Sequence, residues 1–143
     1  MTTRNAHARW EGGIKEGKGS IDFGSGGFKG AYSFASRFEE GAGTNPEELL
    51  AAAHAGCFAM ALSLFLGKAG FKPDYVDATA YVTIMHKGGD FKITSSRLVC
   101  EAKVPGIDQT TFVQHAESAK ANCPISKALA GAEITLEATL AVQ

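Results

Sequence analysis

Residues 49–66 read LLAAAHAGCFAMALSLFL, one histidine and no charge among them, and no other stretch narrows the possible folds as much. The segment follows TNPEEL, in which Asn45 can cap a helix, Pro46 suits its first position, and Glu48 stands three residues beyond the cap, as a capping box requires. Gly70 and then Pro73 supply the stop. The pattern therefore predicts a helix of more than twenty residues, apolar around nearly its whole circumference. That length would also cross a bilayer. The segment is richer in alanine and glycine than in leucine and isoleucine, contains His54, and has no second span beside it, so a buried central helix is the expectation. A chain of 143 residues is the length of one domain and covers such a helix poorly alone. Cover from a partner subunit is expected.

Charge excludes several classes of partner. Fourteen Lys and Arg stand against fifteen Asp and Glu, for a formal net charge of −1. No basic stripe is set aside for nucleic acid or an anionic membrane surface. Small molecules, or another copy of the chain, are the expected partners. The opening MTTRNAHARWEGG has no apolar run or small-residue cleavage site, so a cytoplasmic location is the expectation. Three cysteines, Cys57, Cys100 and Cys123, cannot all pair, and a reducing compartment would not favour pairing.

Elsewhere period-two patterns dominate. AHARW, GKGSIDFGSGGFKG and AYSFASRF read as strands joined by glycine-rich turns, with Tyr32, Phe34 and Phe38 on even positions. VDATAYVTI sets Val76, Ala78, Ala80, Val82 and Ile84 on one face, and HKGGD turns the chain into FKITSSRLVCEAKV. In that return strand Leu98, Cys100, Ala102 and Val104 share a face from which Phe91 and Ile93 are out of phase. A bulge near Ser95 would reconcile them. AEITLEATLAV alternates through Ile134, Leu136, Ala138, Leu140 and Val142 as a last strand. Before it, a helical block spaces Phe112, Ala116, Ala119 and Cys123 by four, three and four, which puts Cys123 on the buried face at the break that Pro124 makes.

A redox site needs an attacking thiolate, a resolving thiol and a positive charge. Cys57 and Cys123 are the candidate pair, and they can meet only across the fold. Cys100, mid-strand among apolar neighbours, reads as core. His54 precedes Cys57 by three residues on one helix face. It has three readings: a satisfied core histidine first, a group that tunes the thiolate second, and a zinc ligand last, because the chain has no closely spaced ligand pair. Arg37 reads as a turn charge. Glu47 has no structural task if the capping box uses Glu48.

RWEGGIKEGKG, RFEEGAGTNPEELLAAAHAGCFAMALS, VPGID and AKANCPISKAL together resemble the OsmC/Ohr family of hydroperoxide reductases over nearly the whole length. The histidine in AAHAGC and the RFE before GTNPEEL place the resemblance on the OsmC branch. It implies an OsmC-like α+β fold for 1–143 as a single domain, with antiparallel-rich sheets around long central helices in an intertwined homodimer. It also implies a thiol-dependent peroxidase of oxidative and osmotic stress defence, with Cys57 as peroxidatic thiol, Cys123 as resolving thiol, and Arg37 with Glu47 as the ion pair supporting the thiolate. The reductant would be an external dithiol, a dihydrolipoyl protein by the same resemblance. No metal, flavin or haem is required. Phe58 and Met60 are expected to line an apolar site, so organic hydroperoxides should be preferred to hydrogen peroxide. Glu47 and Cys57, ten residues apart on one helix, are separated by roughly 15 Å of rise, which places a Glu47 acting near Cys57 on the other chain of an antiparallel helix pair. The rival readings are a nonenzymatic binder of apolar ligands, and a zinc-binding stress protein.

Overall fold

Three short strands open the chain, β1 (Ala6–Glu11), β2 (Lys18–Phe23) and β3 (Lys29–Tyr32), paired antiparallel in the order β1-β2-β3. The computed structural model describes residues 1–142, without the side chain of Lys87. Its backbone divides into two compact units, 1–49 and the chain from Leu50 onward. In the first unit Trp10 on β1 packs against Tyr32 on β3 with ring centroids 5.3 Å apart, and Ile21 on β2 is buried.

The sequence pattern extends the third strand through Phe38, and here the structure differs. The strand ends at Tyr32 and a short helix, α1 (Phe34–Phe38), replaces the rest. The cause is local: the Ser33 hydroxyl accepts from the Ser36 amide at 3.1 Å while the Ser36 hydroxyl accepts from the Ser33 amide at 2.8 Å. This reciprocal capping box outweighs the even spacing of aromatics. Phe34 and Phe38, one turn apart, then pack as tilted rings with centroids 5.1 Å apart, and Arg37 lies in a helix rather than a turn.

Helix α2 (Pro46–Lys68) begins as expected, with the Glu48 amide donating to Asn45 Oδ1 at 2.7 Å. The second half of the expected capping box is replaced. Glu48 Oε2 accepts instead from the Thr44 hydroxyl at 2.8 Å. Gly70, at φ 90°, ends the helix in the left-handed conformation that glycine adopts most easily.

In the second unit, β4 (Tyr75–Lys87) and β5 (Asp90–Lys103) form the expected hairpin. Gly88 and Gly89 make its two-residue turn with φ of 60° and 88°, which only a type I′ geometry demands at both positions. Thr83 pairs with Ser95 and Ile84 with Ile93, so Thr94 is the extra residue of the bulge. Helices α3 (Gln109–Asn122) and α4 (Pro124–Ala128) lead to β6 (Glu133–Leu140), which pairs with β5 in parallel. Val142 lies beyond that strand and is exposed, against the expectation that the last strand runs through it.

The core joins Phe58, Leu62 and Leu66 of α2 to Leu98, Cys100 and Ala102 of β5 and to Phe112, Ala116 and Ala119 of α3. Spacing of four puts the three α2 residues on one stripe, and burying each stabilises the fold by about 1.5–3 kcal/mol. The expectation of a buried central helix holds for that stripe alone. Only 22% of the most apolar window of α2 is buried, and Met60 is 77% exposed. A three-stranded sheet and one helix reach one side of a cylinder and leave the opposite side bare.

Candidate active site

In the first unit, α1 and the first turn of α2 bring Arg37 and Glu47 together. Arg37 Nε donates to Glu47 Oε1 at 2.8 Å and Nη2 donates to Oε2 at 3.2 Å. The planar guanidinium thus meets both carboxylate oxygens, a geometry that fixes its direction as well as its position. The Glu47 side chain is 8% exposed and that of Arg37 33%. Two further bonds hold the pair's scaffold: Ser36 Oγ donates to the Thr44 carbonyl at 2.7 Å and Asn45 Nδ2 donates to the Ser36 carbonyl at 3.0 Å. Arg37 also lies over the Phe38 ring at 5.1 Å. Beside it opens a cleft of about 180 Å³ lined by Trp10, Ile14, Tyr32, Phe34 and Phe38.

In the second unit, the site forms where the middle of α2 faces the junction of α3 and α4. Cys123 closes α3 and caps α4, with Pro124 at the first helical position behind it. The residue is fully buried and its sulfur accepts from both the amide and the hydroxyl of Ser126, each at 3.4 Å. Cys57 and Cys123 lie near enough that each acts on the other's ionisation, and all three cysteines are free. Cys57 and Cys123, the candidate pair, thus share this part of the second unit.

Their surroundings pull the two thiols apart electrostatically. Burial pushes the Cys57 thiol up; the amide of Ile125 opposes this, and the bond to Cys123 adds to it. Burial also works against ionisation at Cys123. There the donors from Ser126 and the Cys57 thiol outweigh it and bring Cys123 below its ordinary value. Of the two thiols, Cys123 is the one whose surroundings favour ionisation and Cys57 the one whose surroundings oppose it. No cation stands among the groups acting on Cys57. Cys100 is different: burial, followed by Asp77 and Glu101, pushes it up to about 12, and it is 1% exposed, as a packing residue should be.

His54 is fully buried and satisfied, as the first of its three readings holds. Its Nδ1 meets Ser96 Oγ of β5 at 2.6 Å and its Nε2 meets Ser126 Oγ of α4 at 2.8 Å. Burial lowers its affinity for a second proton, so the ring is neutral. The sequence reading missed Ser96 and Ser126. Ser126 had a signal, since CPIS places a serine three residues after a cap, whereas Ser96 alternates in an ordinary strand. Phe58, expected with Met60 to line an apolar site, is fully buried in the core, and Met60 is exposed.

Two free thiols that act on each other's ionisation, one of them facing fixed hydrogen-bond donors, make a site suited to thiol–disulfide chemistry. The sequence model of the OsmC-like protein family matches residues 39–138, and the chain belongs to that family. The match takes in Glu47, Cys57 and Cys123 and begins just after Arg37. The chain is 50% identical over 135 residues to Peroxiredoxin OsmC of Escherichia coli (strain K12) and to that of Shigella flexneri, covering 94% of this chain and 94% of each relative. In structure it is similar to the Organic Hydroperoxide Resistance Protein OhrB of Bacillus subtilis, at 26% identity and a TM-score of 0.71, with 96% of this chain and 98% of that one covered. An OsmC like protein from Mycoplasma pneumoniae, 15% identical with a TM-score of 0.76, shares the fold.

Proposed function

We propose that this chain, acting as one domain over 1–143, reduces organic hydroperoxides to alcohols in stress defence. Cys57 is the attacking thiol, Cys123 the resolving thiol, and Arg37, held by Glu47, the cation that lets Cys57 ionise. The observation that carries the reading is the nearness of Cys57 and Cys123, each acting on the other's ionisation, supported by the close relatives named peroxiredoxins.

The Cys57 thiolate attacks the outer peroxide oxygen. An S–O bond forms, the O–O bond breaks, and the departing alkoxide takes a proton to leave as ROH. The Cys123 thiolate then attacks the sulfur of the sulfenic acid. An S–S bond forms, the S–O bond breaks, and hydroxide leaves as water after taking a proton. An external dithiol, of which a dihydrolipoyl protein is the expected carrier, returns two electrons and two protons. The chemistry calls for no metal, flavin or haem.

A thiol pushed up by burial is a poor nucleophile near neutral pH, so Cys57 needs a cation that its own cluster lacks. Arginine keeps its charge at every relevant pH, and the two bonds to Glu47 aim it. The aromatic cleft beside Arg37 suits the apolar tail of an organic hydroperoxide better than it suits hydrogen peroxide. The bare side of α2 supports an intertwined homodimer in which the Arg37–Glu47 pair of one subunit serves Cys57 of the other. Free thiols near each other are stable in a reducing compartment, which supports the cytoplasm.

Steady-state turnover of cumene hydroperoxide with a small dithiol tests the reading. Cys57→Ser should abolish it, and Cys123→Ser should consume one equivalent of peroxide per chain and stop. Full turnover by Cys57→Ser would overturn the assignment, and no thiol loss in the unmodified protein would favour the nonenzymatic binder.

A further inference from the structure

His54 is a buried titratable group that the mechanism leaves without a task, and its two hydrogen bonds form a chain that ends on a reacting sulfur. The order is Ser96 Oγ, His54 Nδ1 at 2.6 Å, His54 Nε2, Ser126 Oγ at 2.8 Å, and Cys123 Sγ at 3.4 Å. Three elements supply it: β5, α2 and α4. Every member is buried.

A neutral imidazole carries one N–H and one lone pair, so one serine must donate to the ring and the other must accept from it. Two arrangements are possible. In the first, Ser96 donates to Nδ1 and Nε2–H donates to Ser126, whose hydroxyl proton is then free to point at Cys123. In the second, Ser126 donates to Nε2, its proton is used up, and it can only accept from a Cys123 S–H. That second arrangement has Nδ1–H donating to Ser96, and the Ser96 hydroxyl proton is left with no acceptor, since His54 is the partner of Ser96 Oγ among the described residues. Leaving a buried hydroxyl donor unsatisfied is unfavourable, which selects the first arrangement.

We propose that His54 is a positioning residue for the resolving thiol: Ser96 fixes it as the Nε2–H tautomer, and it in turn fixes the Ser126 hydroxyl as a donor to Cys123, so that a donor faces the Cys123 sulfur as it gives up its proton for disulfide closure. The lowered proton affinity of Cys123 agrees with this. The titratable groups facing Cys123 are His54 and Cys57, both from α2. On the other packed elements Arg97 of β5 pairs with Glu137 at 3.5 Å, Lys120 of α3 pairs with Glu117 at 3.1 Å, and Lys127 of α4 is exposed. The neutral ring neither takes nor gives a proton in the step. It sets the direction of a hydrogen bond.

The inference rests on Cys123 being the resolving thiol, and the tests separate the two claims. Single-turnover reaction of the reduced protein with one equivalent of cumene hydroperoxide reads peroxide loss and disulfide formation independently. Ser126→Ala and His54→Gln should slow disulfide closure about tenfold relative to peroxide loss, the worth of one charge-assisted hydrogen bond, and move the pH profile of closure toward alkaline pH. A purely structural role would lower stability without moving that profile, and an unmoved profile overturns the proposal. In unmutated reduced protein with nitrogen-15-labelled histidine, NMR should find the His54 proton on Nε2. A proton on Nδ1 overturns the proposal whether or not the variants fold. Failure of the unmutated protein to consume peroxide would instead sink the peroxidase reading.

Discussion

Replacing Arg37 with lysine keeps a positive charge but removes the fork. Arg37 reaches Glu47 through two donors, at 2.8 and 3.2 Å, and an ammonium in the same place can satisfy one carboxylate oxygen in that geometry. A charge-assisted hydrogen bond is worth roughly 1.5–3 kcal/mol when shielded, and the one-third exposure of Arg37 reduces the loss to about 1 kcal/mol. The contact with the Phe38 ring at 5.1 Å contributes about 0.5 kcal/mol more. The variant should therefore lose about 1.5 kcal/mol, which lowers the melting temperature by roughly 3–6 °C for a chain of this size. Arg37→Ala should cost more, because it strands a nearly buried carboxylate. The functional consequence is separate from the structural one. If the fork aims the cation at Cys57, Arg37→Lys should move the peroxide rate–pH profile toward alkaline pH and Arg37→Ala should move it further. Urea melts and stopped-flow peroxide consumption across pH measure both. A lowered melt with an unmoved rate profile would show the pair to be structural only.

Cys100→Ala should preserve turnover and cost about 1 kcal/mol of packing at neutral pH, read from urea midpoints. Its thiol is raised from an ordinary 9.0 to about 12 in the fold, so the stability it contributes is complete below about 9 and lost as pH rises toward 12; the alanine variant should show less of that alkaline loss. His54 is shifted the opposite way, below its ordinary 6.5. As a base whose charged form the fold disfavours, it contributes stability above that value that disappears as pH falls, and His54→Gln should flatten the acid limb of the stability curve. Mixing Cys57→Ser chains with Glu47→Ala chains by joint unfolding and refolding should restore activity at one of the two sites of each heterodimer. Inactive heterodimers, verified by mass, would refute the shared site.

Much of this was legible because the decisive signals were local or periodic. The capping serves as an example: Asn45, Pro46 and Gly70 bound α2 through short-range chemistry, and the phase change between Ile93 and Leu98 reported the bulge at Thr94. The period of Phe112, Ala116, Ala119 and Cys123 likewise fixed the buried face of α3. Where two local signals competed, the less obvious one prevailed, and Ser33 with Ser36 made a helix of a stretch that alternates like a strand. The nearness of Cys57 to Cys123 has no footprint in spacing, because residues 66 apart in sequence come near only after α2 docks on the α3–α4 junction. Residue chemistry named the candidate pair and the family resemblance assigned its roles, while the influence of each thiol on the other belongs to the fold. Ser96 and Ser126 escaped notice for the same reason. Their role depends on a histidine that enters from a third element. The extent of exposed surface on α2 was equally hidden, since an all-apolar helix reads alike whether one side or every side is covered.

The most direct test of the central claim is a thiol count during peroxide titration of the reduced, unmutated protein. One equivalent of cumene hydroperoxide per chain should remove two of the three thiols together, and peptide mapping should find Cys57 joined to Cys123 within one chain while Cys100 reacts with alkylating reagent only after unfolding. Retention of all three thiols after the peroxide has been added, or a disulfide that includes Cys100, would contradict the account.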